Sequence, residues 1–439
     1  MGEPEKKTLD AVSAYAGATF ETLKRTLLDD PGAGEQHVRA SGLTLAKILL
    51  QGVVDGLAVG QERKPLRCGC GRLYNQVMQR EKVVQTIVGE IRFRRYYYYR
   101  RECGCSEIPL DRQWHMEETG FSAELQRFMG EIAAWYPFVP GAEVLSSLTG
   151  VHVSGKDIER IAKRIGAELE RTPRMVVSGV NTATVYISMD GTGVPVVKRE
   201  LQGRRGKGNN GEAKSREARL GCMFTQTAHT EQGEPIRDEQ STTYVGAIET
   251  AEEFAQRIEQ EAQRRNVDGA RQVVVLGDAA SWIDTIVQDN FPRAQFIIDL
   301  YHAREHYWTV ARSLWPHDPQ RQRVWALKRE KELDAGQVQK VIMAIKRLHP
   351  RLPQAREICH KEIAFFAAHG KHMRYDKFRA HGLFVGSGVV EAGCKSIIGQ
   401  RLKQAGMHWS VSGANHIIAL RTAIASHEWQ NFWETRWAA

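Results

Sequence analysis

Two apolar periods alternate along the chain. Over residues 8–57, Leu9, Val12, Tyr15 and Phe20, then Leu43, Leu45, Ile48, Leu49 and Val53, recur at helical intervals around the polar break DDPGAGE. This predicts two or more helices about a Pro/Gly turn, a packing or dimerising appendage. The period shortens to two in VVQTIVGEIRFRRYYYYRR, where alternation puts Arg92, Arg94, Tyr96, Tyr98 and Arg100 on one strand face. Residues 122–171 return to helical spacing with a break at Pro137 and Pro140. Residues 142–148, the turn at Gly150 and a helix carrying Ile158, Ile161, Ile165 and Leu169 outline a helix-turn-helix or an ordinary pair of helices. Ser154 is the expected N-cap, and Arg160, Lys163 and Arg164 the expected exposed face.

Beyond Thr182, short β-branched runs alternate with helices. VYISMDGTG predicts a buried strand that stops at Asp190 and turns on Gly191 and Gly193; VVVLGDA predicts a second that delivers Asp278. Further strands are expected over 194–197, 220–227 and 296–299, with a helix over 247–265. Residues 307–378 are helical almost throughout, an all-helical segment lodged between Asp278 and Glu391. The last stretch has Ser412 as its expected N-cap and Ile417, Leu420 and Ile424 as a core face. Six segments follow: 1–60 helical, 61–115 a cysteine β module, 116–175 helical, 180–304 the first part of an α/β core, 305–380 a helical insertion, and 381–439 the helices closing that core. Early adjacent strands, then strands alternating with helices and ending in acids, fit a multi-domain α/β chain with a ribonuclease-H-like catalytic domain.

The acids supply the candidate chemistry. Asp190, Asp278 and Glu391, the last in GSGVVEAGCK, make a plausible cage for two divalent cations, Mg²⁺ or Mn²⁺, which is the core of phosphoryl transfer on nucleic acid. In DLYHAREH, Asp299 and His302 share a helix face, as metal ligands or as a structural pair.

Charge adds a partner. The 439 residues carry a formal net charge of +9, which favours a polyanion such as double-stranded DNA. Residues 198–219 hold eight Lys/Arg against three Glu, so Lys198, Arg199, Arg204, Arg205 and Lys207 are candidate phosphate contacts. Lys395, Arg401 and Lys403 follow Glu391 and are expected along a bound backbone, and Arg92 and Arg94 are the candidates on the strand face. His408 and Trp409 read as a base-stacking pair or as core. Seven cysteines include two C-G-C pairs, Cys68 with Cys70 and Cys103 with Cys105; four thiolates around a hairpin suit zinc better than a disulfide framework, although zinc ribbons usually space their pairs by two residues. No uninterrupted apolar run approaches the ~20 residues of a membrane span, and the polar start is unlike a signal peptide, so a cytoplasmic, nucleoid-associated protein is expected.

The blocks SMDGTGVPVVKRE, VVLGDAASWI, IIDLYHAREHYW and LFVGSGVVEAGCKSIIGQRLKQAGMHWS closely resemble bacterial insertion-sequence transposases of the Kra type, DDE enzymes related to the Mutator-like group. The resemblance covers roughly residues 60–435. It implies a ribonuclease-H-like domain with a helical insertion, Asp190, Asp278 and Glu391 as the catalytic triad, and Asp299 with His302 as the D-x-x-H signature. It also implies cleavage at element ends and strand transfer by a dimer or larger assembly on DNA. A structure-selective nuclease on the same fold, and an inactive DNA-binding descendant, are the alternatives.

Overall fold

The polar break places the first helix boundary. Asp30 Oδ1 accepts the backbone N–H groups of Gly32 and Ala33 (2.9 and 3.1 Å) and Pro31 takes the first helical position, so the helix Glu3–Asp29 ends and the helix Pro31–Val59 begins within one residue. The computed structural model describes residues 2–59, 64–172, 174, 183–206 and 212–438. The chain divides into two compact units, Met1–Ile165 with Gln430–Ala439, and Gly166–Trp429.

In the first unit the helical pair leaves large apolar side chains in solvent, Leu28 at 85% exposure and Phe20 and Val53 beyond half. By length and composition Pro31–Leu57 is apolar enough to cross a membrane, although Glu35, Arg39, Lys47 and Asp55 interrupt its apolar residues. The same helix covers a hairpin of β1 (Gln76–Thr86) and β2 (Gly89–Tyr99), turned at Gly89 with φ +114°, and β2 also pairs with the short β3 (Ser106–Glu107). Val54 meets Val84, Ile91, Phe93, Leu110 and Met116 in one core. Beside that core Asp111 accepts from Lys82 Nζ (2.8 Å) and Arg95 Nε (2.8 Å), all three side chains nearly buried.

Unbroken pairing with β1 keeps Arg92, Arg94, Tyr96 and Tyr98 on one face of β2, but that face is open only over its first part. Arg92 and Arg94 are exposed, but Tyr98 is only 4% exposed, its hydroxyl donating to Lys64 O (2.9 Å), and Arg100 donates to Leu73 O (2.7 Å). The segment running through Tyr74 folds over that end of the strand, with the Tyr74 and Tyr98 rings 5.9 Å apart. Helices Ala123–Trp135, Phe138–Thr149 and Gly155–Arg171 follow, the second closed by Gly150 in the left-handed region. Ser154 caps the third as expected: its Oγ accepts from Asp157 N (3.1 Å) and Asp157 reaches back to Ser154 N (3.2 Å). Arg160 and Lys163 pair with Asp157 and Glu159 on their own helix, and Arg164 bonds Glu117 O.

The second unit is a mixed α/β structure. Strands β4 (Thr184–Pro195), β5 (Ser215–Gln226), β8 (Thr243–Ala247), β9 (Gln272–Gly277) and β10 (Gln295–Ile298) form a sheet in the order β10-β9-β4-β5-β8; β6 (Ala228–His229) and β7 (Pro235–Ile236) make a separate pair. β4 runs antiparallel to β5 and parallel to β9; β5 with β8 is antiparallel and β9 with β10 parallel. Helix Ala251–Arg264 packs on one face, where a Cβ on Gly221 would meet Ile258 at 2.3 Å; helix Val411–Ala425 packs on the other, its Ile418 beside Gly246. Five helices, from Leu300–Leu314 to Tyr375–Ala380, fill the stretch between β10 and the segment bearing Glu391.

Candidate metal and nucleic-acid site

β4 does not stop at Asp190. It continues through Gly191 and Gly193 to Pro195 because β5 pairs with it along its whole length, Asp190 opposite Leu220. What ends is the parallel pairing with β9, whose last pair is Ser188 with Leu276. Asp190 and Asp278 each lie two residues past that pair, so they emerge at the same level from adjacent strands and, by alternation, on one face. Residues directly opposite on antiparallel strands share a face, so Leu220 lies on it too. A Cβ on Gly393 would come within 2.9 Å of Leu220 Cδ2; the missing side chain lets helix Gly388–Gly393 lie close against the sheet, with Glu391 beside the two aspartates.

The electrostatics of this cluster are unbalanced. Burial pushes the Asp190 carboxyl above its usual range, and the charges of Asp278 and Glu391 push it further, against hydrogen bonds from Gly191 N–H (2.7 Å) and the Cys394 thiol. Asp278 Oδ1 accepts from Ala280 N (2.9 Å) across Ala279, which is held at φ +63°. Three part-exposed carboxylates offering oxygen ligands, with mutual repulsion, suit hard divalent cations. Past Glu391 the backbone widens into π-helical turns over Cys394–Gly399, a distortion frequent at functional sites.

Asp299 is not in the cluster but behind it. It is 1% exposed and caps helix Leu300–Leu314, Oδ1 accepting from His302 N (2.6 Å), while Oδ2 accepts from Ser387 N (2.5 Å) and Ser387 Oγ (3.0 Å). The Ser387 hydroxyl also reaches Glu391 Oε1 (3.2 Å). His302 Nε2 lies 3.4 Å from His306 Nε2, and His306 Nδ1 lies 2.5 Å from the buried Glu362 Oε2. Ser387 and Cys394 were not found by sequence reasoning; the glycines flanking Ser387 were the available signal, and nothing in the sequence links it to an acid 88 positions earlier.

The candidate cations divide. Lys198, Arg199, Arg204 and Arg205 are exposed, and Arg204 and Arg219 add to the burial that lowers the pKa of Arg216, so the hairpin after β4 concentrates positive charge. Lys207 lies outside the described residues. Lys395 and Lys403 are exposed, and Lys403 Nζ bonds Thr192 Oγ1 beside Asp190. Arg401 is corrected: it is 1% exposed, its guanidinium 5.1 Å over the Trp409 ring, and burial with Arg421 nearby lowers its pKa to about 10. Trp409 is core, its indole N–H donating to Leu402 O (3.1 Å), while His408 is exposed.

In the first unit the Sγ atoms of Cys68, Cys70 and Cys103 lie within 4.8 Å of one another, with Cys68 and Cys103 at 3.5 Å. These values bracket the sulfur–sulfur edge of about 3.8 Å in a tetrahedral site with 2.3 Å bonds, so the group could hold a metal such as zinc. Cys105 stands alongside, its thiol pushed up to about 11 by hydrogen bonds with Cys103 and Cys68. Gly71 and Gly104, at φ +83° and +69°, make the turns that present the thiols.

No curated protein matches the chain. A family model does match, over residues 71–438 and thus most of the chain, which belongs to the uncharacterised protein family UPF0236.

Proposed function

We propose that the chain is a DDE transposase that cleaves DNA at transposon ends and joins the freed 3′ ends to target DNA. The observation that carries this reading is the convergence of Asp190, Asp278 and Glu391 on one face and at one end of the mixed sheet. The strand order β10-β9-β4-β5-β8, with three antiparallel strands meeting two parallel ones, supports a ribonuclease-H-like fold, and the helices between β10 and Glu391 support an insertion at that point.

Asp190, Asp278 and Glu391 would hold two Mg²⁺ or Mn²⁺ ions. Bound there, such ions activate a water or 3′-hydroxyl and stabilise the leaving oxygen of an in-line displacement. Asp190, on the middle strand, would be a ligand with Asp278 and Glu391 flanking it; Lys395, Lys403, Lys198, Arg199, Arg204 and Arg205 would hold the phosphate backbone. Cys68, Cys70, Cys103 and Cys105 would hold a zinc ion that ties the small β module, and its exposed Arg92 and Arg94 would add DNA contacts. Pairing two transposon ends requires two protomers, and the exposed apolar residues of the amino-terminal helices are suited to joining them.

The test is a plasmid carrying the gene's own flanking DNA, scored for Mg²⁺-dependent cleavage and joining. Joined products from the parent and none from Asp190→Ala, with end binding retained in both, are the expected result. Cleavage without joining would leave a nuclease, and binding without cleavage by either protein would reject the enzyme.

A further inference from the structure

Asp299 is nearly sealed from solvent, and a buried carboxylate is tolerated only where hydrogen bonds replace its water. The bonds it makes join the segments carrying two of the three site acids. Its own N–H donates to Gly277 O (2.9 Å), the residue before Asp278. Its Oδ2 accepts the N–H and the hydroxyl of Ser387, and the neighbouring Leu300 N–H donates to Val385 O (2.9 Å), fixing the segment that leads into the Glu391 helix. Gly386 lets that segment approach; a Cβ there would sit 3.3 Å from the Tyr301 ring and 3.6 Å from Asp299 Oδ2. Ser387 has one hydroxyl proton and two carboxylates in reach, Asp299 at 3.0 Å and Glu391 at 3.2 Å, so its hydroxyl stands between the two acids.

We infer that Asp299 and Ser387 are positioning residues that hold Glu391 against Asp190 and Asp278. Asp299 fixes the Ser387 backbone, and the Ser387 hydroxyl fixes the carboxylate of Glu391 one helical turn on. This rests on reading the three acids as a divalent-metal site. Asp299 and Ser387 act through Glu391, each setting the geometry of that ligand, and loss of such a partner typically weakens metal binding 10–100-fold.

The experiment is Mn²⁺ binding to the full-length protein, followed by the loss of the free-ion electron paramagnetic resonance signal, for the parent, Asp190→Ala, Asp299→Asn, Ser387→Ala and Ser387→Thr. Thermal melting in metal-free buffer serves as the folding control. Binding weakened roughly 10–100-fold in Asp299→Asn and Ser387→Ala, with Ser387→Thr close to the parent, is expected. Ser387→Ala keeps the backbone N–H donor to Asp299 and should melt somewhat below the parent yet stay fully folded at the assay temperature, so a loss of binding there is not unfolding even if Asp299→Asn folds poorly. Parent-like affinity in a folded Ser387→Ala overturns the inference while the metal site stands. A parent that binds no more Mn²⁺ than Asp190→Ala removes the metal site itself, and the inference with it.

Discussion

The surroundings of Asp190 favour its protonated over its ionised form. Its folded pKa is raised, by burial first and then by Asp278 and Glu391, so the folded state holds its proton more tightly than the unfolded chain. The stabilising contribution is therefore complete below the unfolded value of 3.8 and is lost as pH rises through the higher folded value. Without divalent metal, Asp190→Asn should melt above the parent at pH 7, with the difference vanishing at acid pH. Melting curves across pH check this, and a variant no more stable than the parent at pH 7 would contradict it. Arg401 gives the converse case. Buried over Trp409, it should contribute to stability and not to DNA affinity: Arg401→Ala is expected to cost about 1–3 kcal/mol in urea unfolding and to leave the salt dependence of DNA binding unchanged. Arg204→Ala, on the exposed hairpin, should leave stability alone and reduce the salt slope by about 1.

At the scale of elements, periodicity carried the two long amino-terminal helices, the β hairpin, the Asp278 strand and the helical run after β10, because each has a pattern set by its own residues. What it missed depends on neighbours. β4 passes through Asp190 because β5 pairs opposite it, and no local signal at Gly191 distinguishes a turn from a paired glycine. The pattern gives no strand over β8, whose five residues pair with β5, and the helix expected from Ala247 starts at Ala251 with a Thr250–Glu253 capping box. The last helix-capping serine is Ser410, accepting from Gly413 N (3.1 Å), and not Ser412, since Trp409 is pinned to β4 and fixes where the helix begins. The ion cluster at Asp111 was invisible for the same reason: Lys82 and Arg95 come from two strands and Asp111 from the short helix Pro109–Gln113. Asp111→Ala leaves two nearly buried cations without their carboxylate, a loss of about 3–5 kcal/mol by analogy with broken buried pairs. Urea unfolding of the first unit, followed at Trp114, measures it, and a cost below about 1 kcal/mol would mean that water already screens the group.

At the scale of the whole molecule, the two candidate metal centres belong to different units and to different chemistries. The cysteine group, in the unit Met1–Ile165, offers soft thiolates to a borderline ion; the carboxylates, in Gly166–Trp429, offer hard oxygen to Mg²⁺ or Mn²⁺. An ion that binds the folded form of one unit should stabilise that unit alone, by up to about 2.7 kcal/mol at a free concentration 100 times its dissociation constant, and by less for zinc because thiolates of the unfolded chain also bind it. Calorimetry of the full chain should therefore show two separable responses. A zinc-selective chelator lowers the transition of the first unit and leaves the second in place, while Mg²⁺ raises the second and not the first. Cys68→Ser should abolish only the former response and Asp190→Asn only the latter. A single transition moved by both ions would show that the units unfold together, and a chelator that moves neither would remove zinc from the account of the cysteine module while leaving the carboxylate site to be judged on its own.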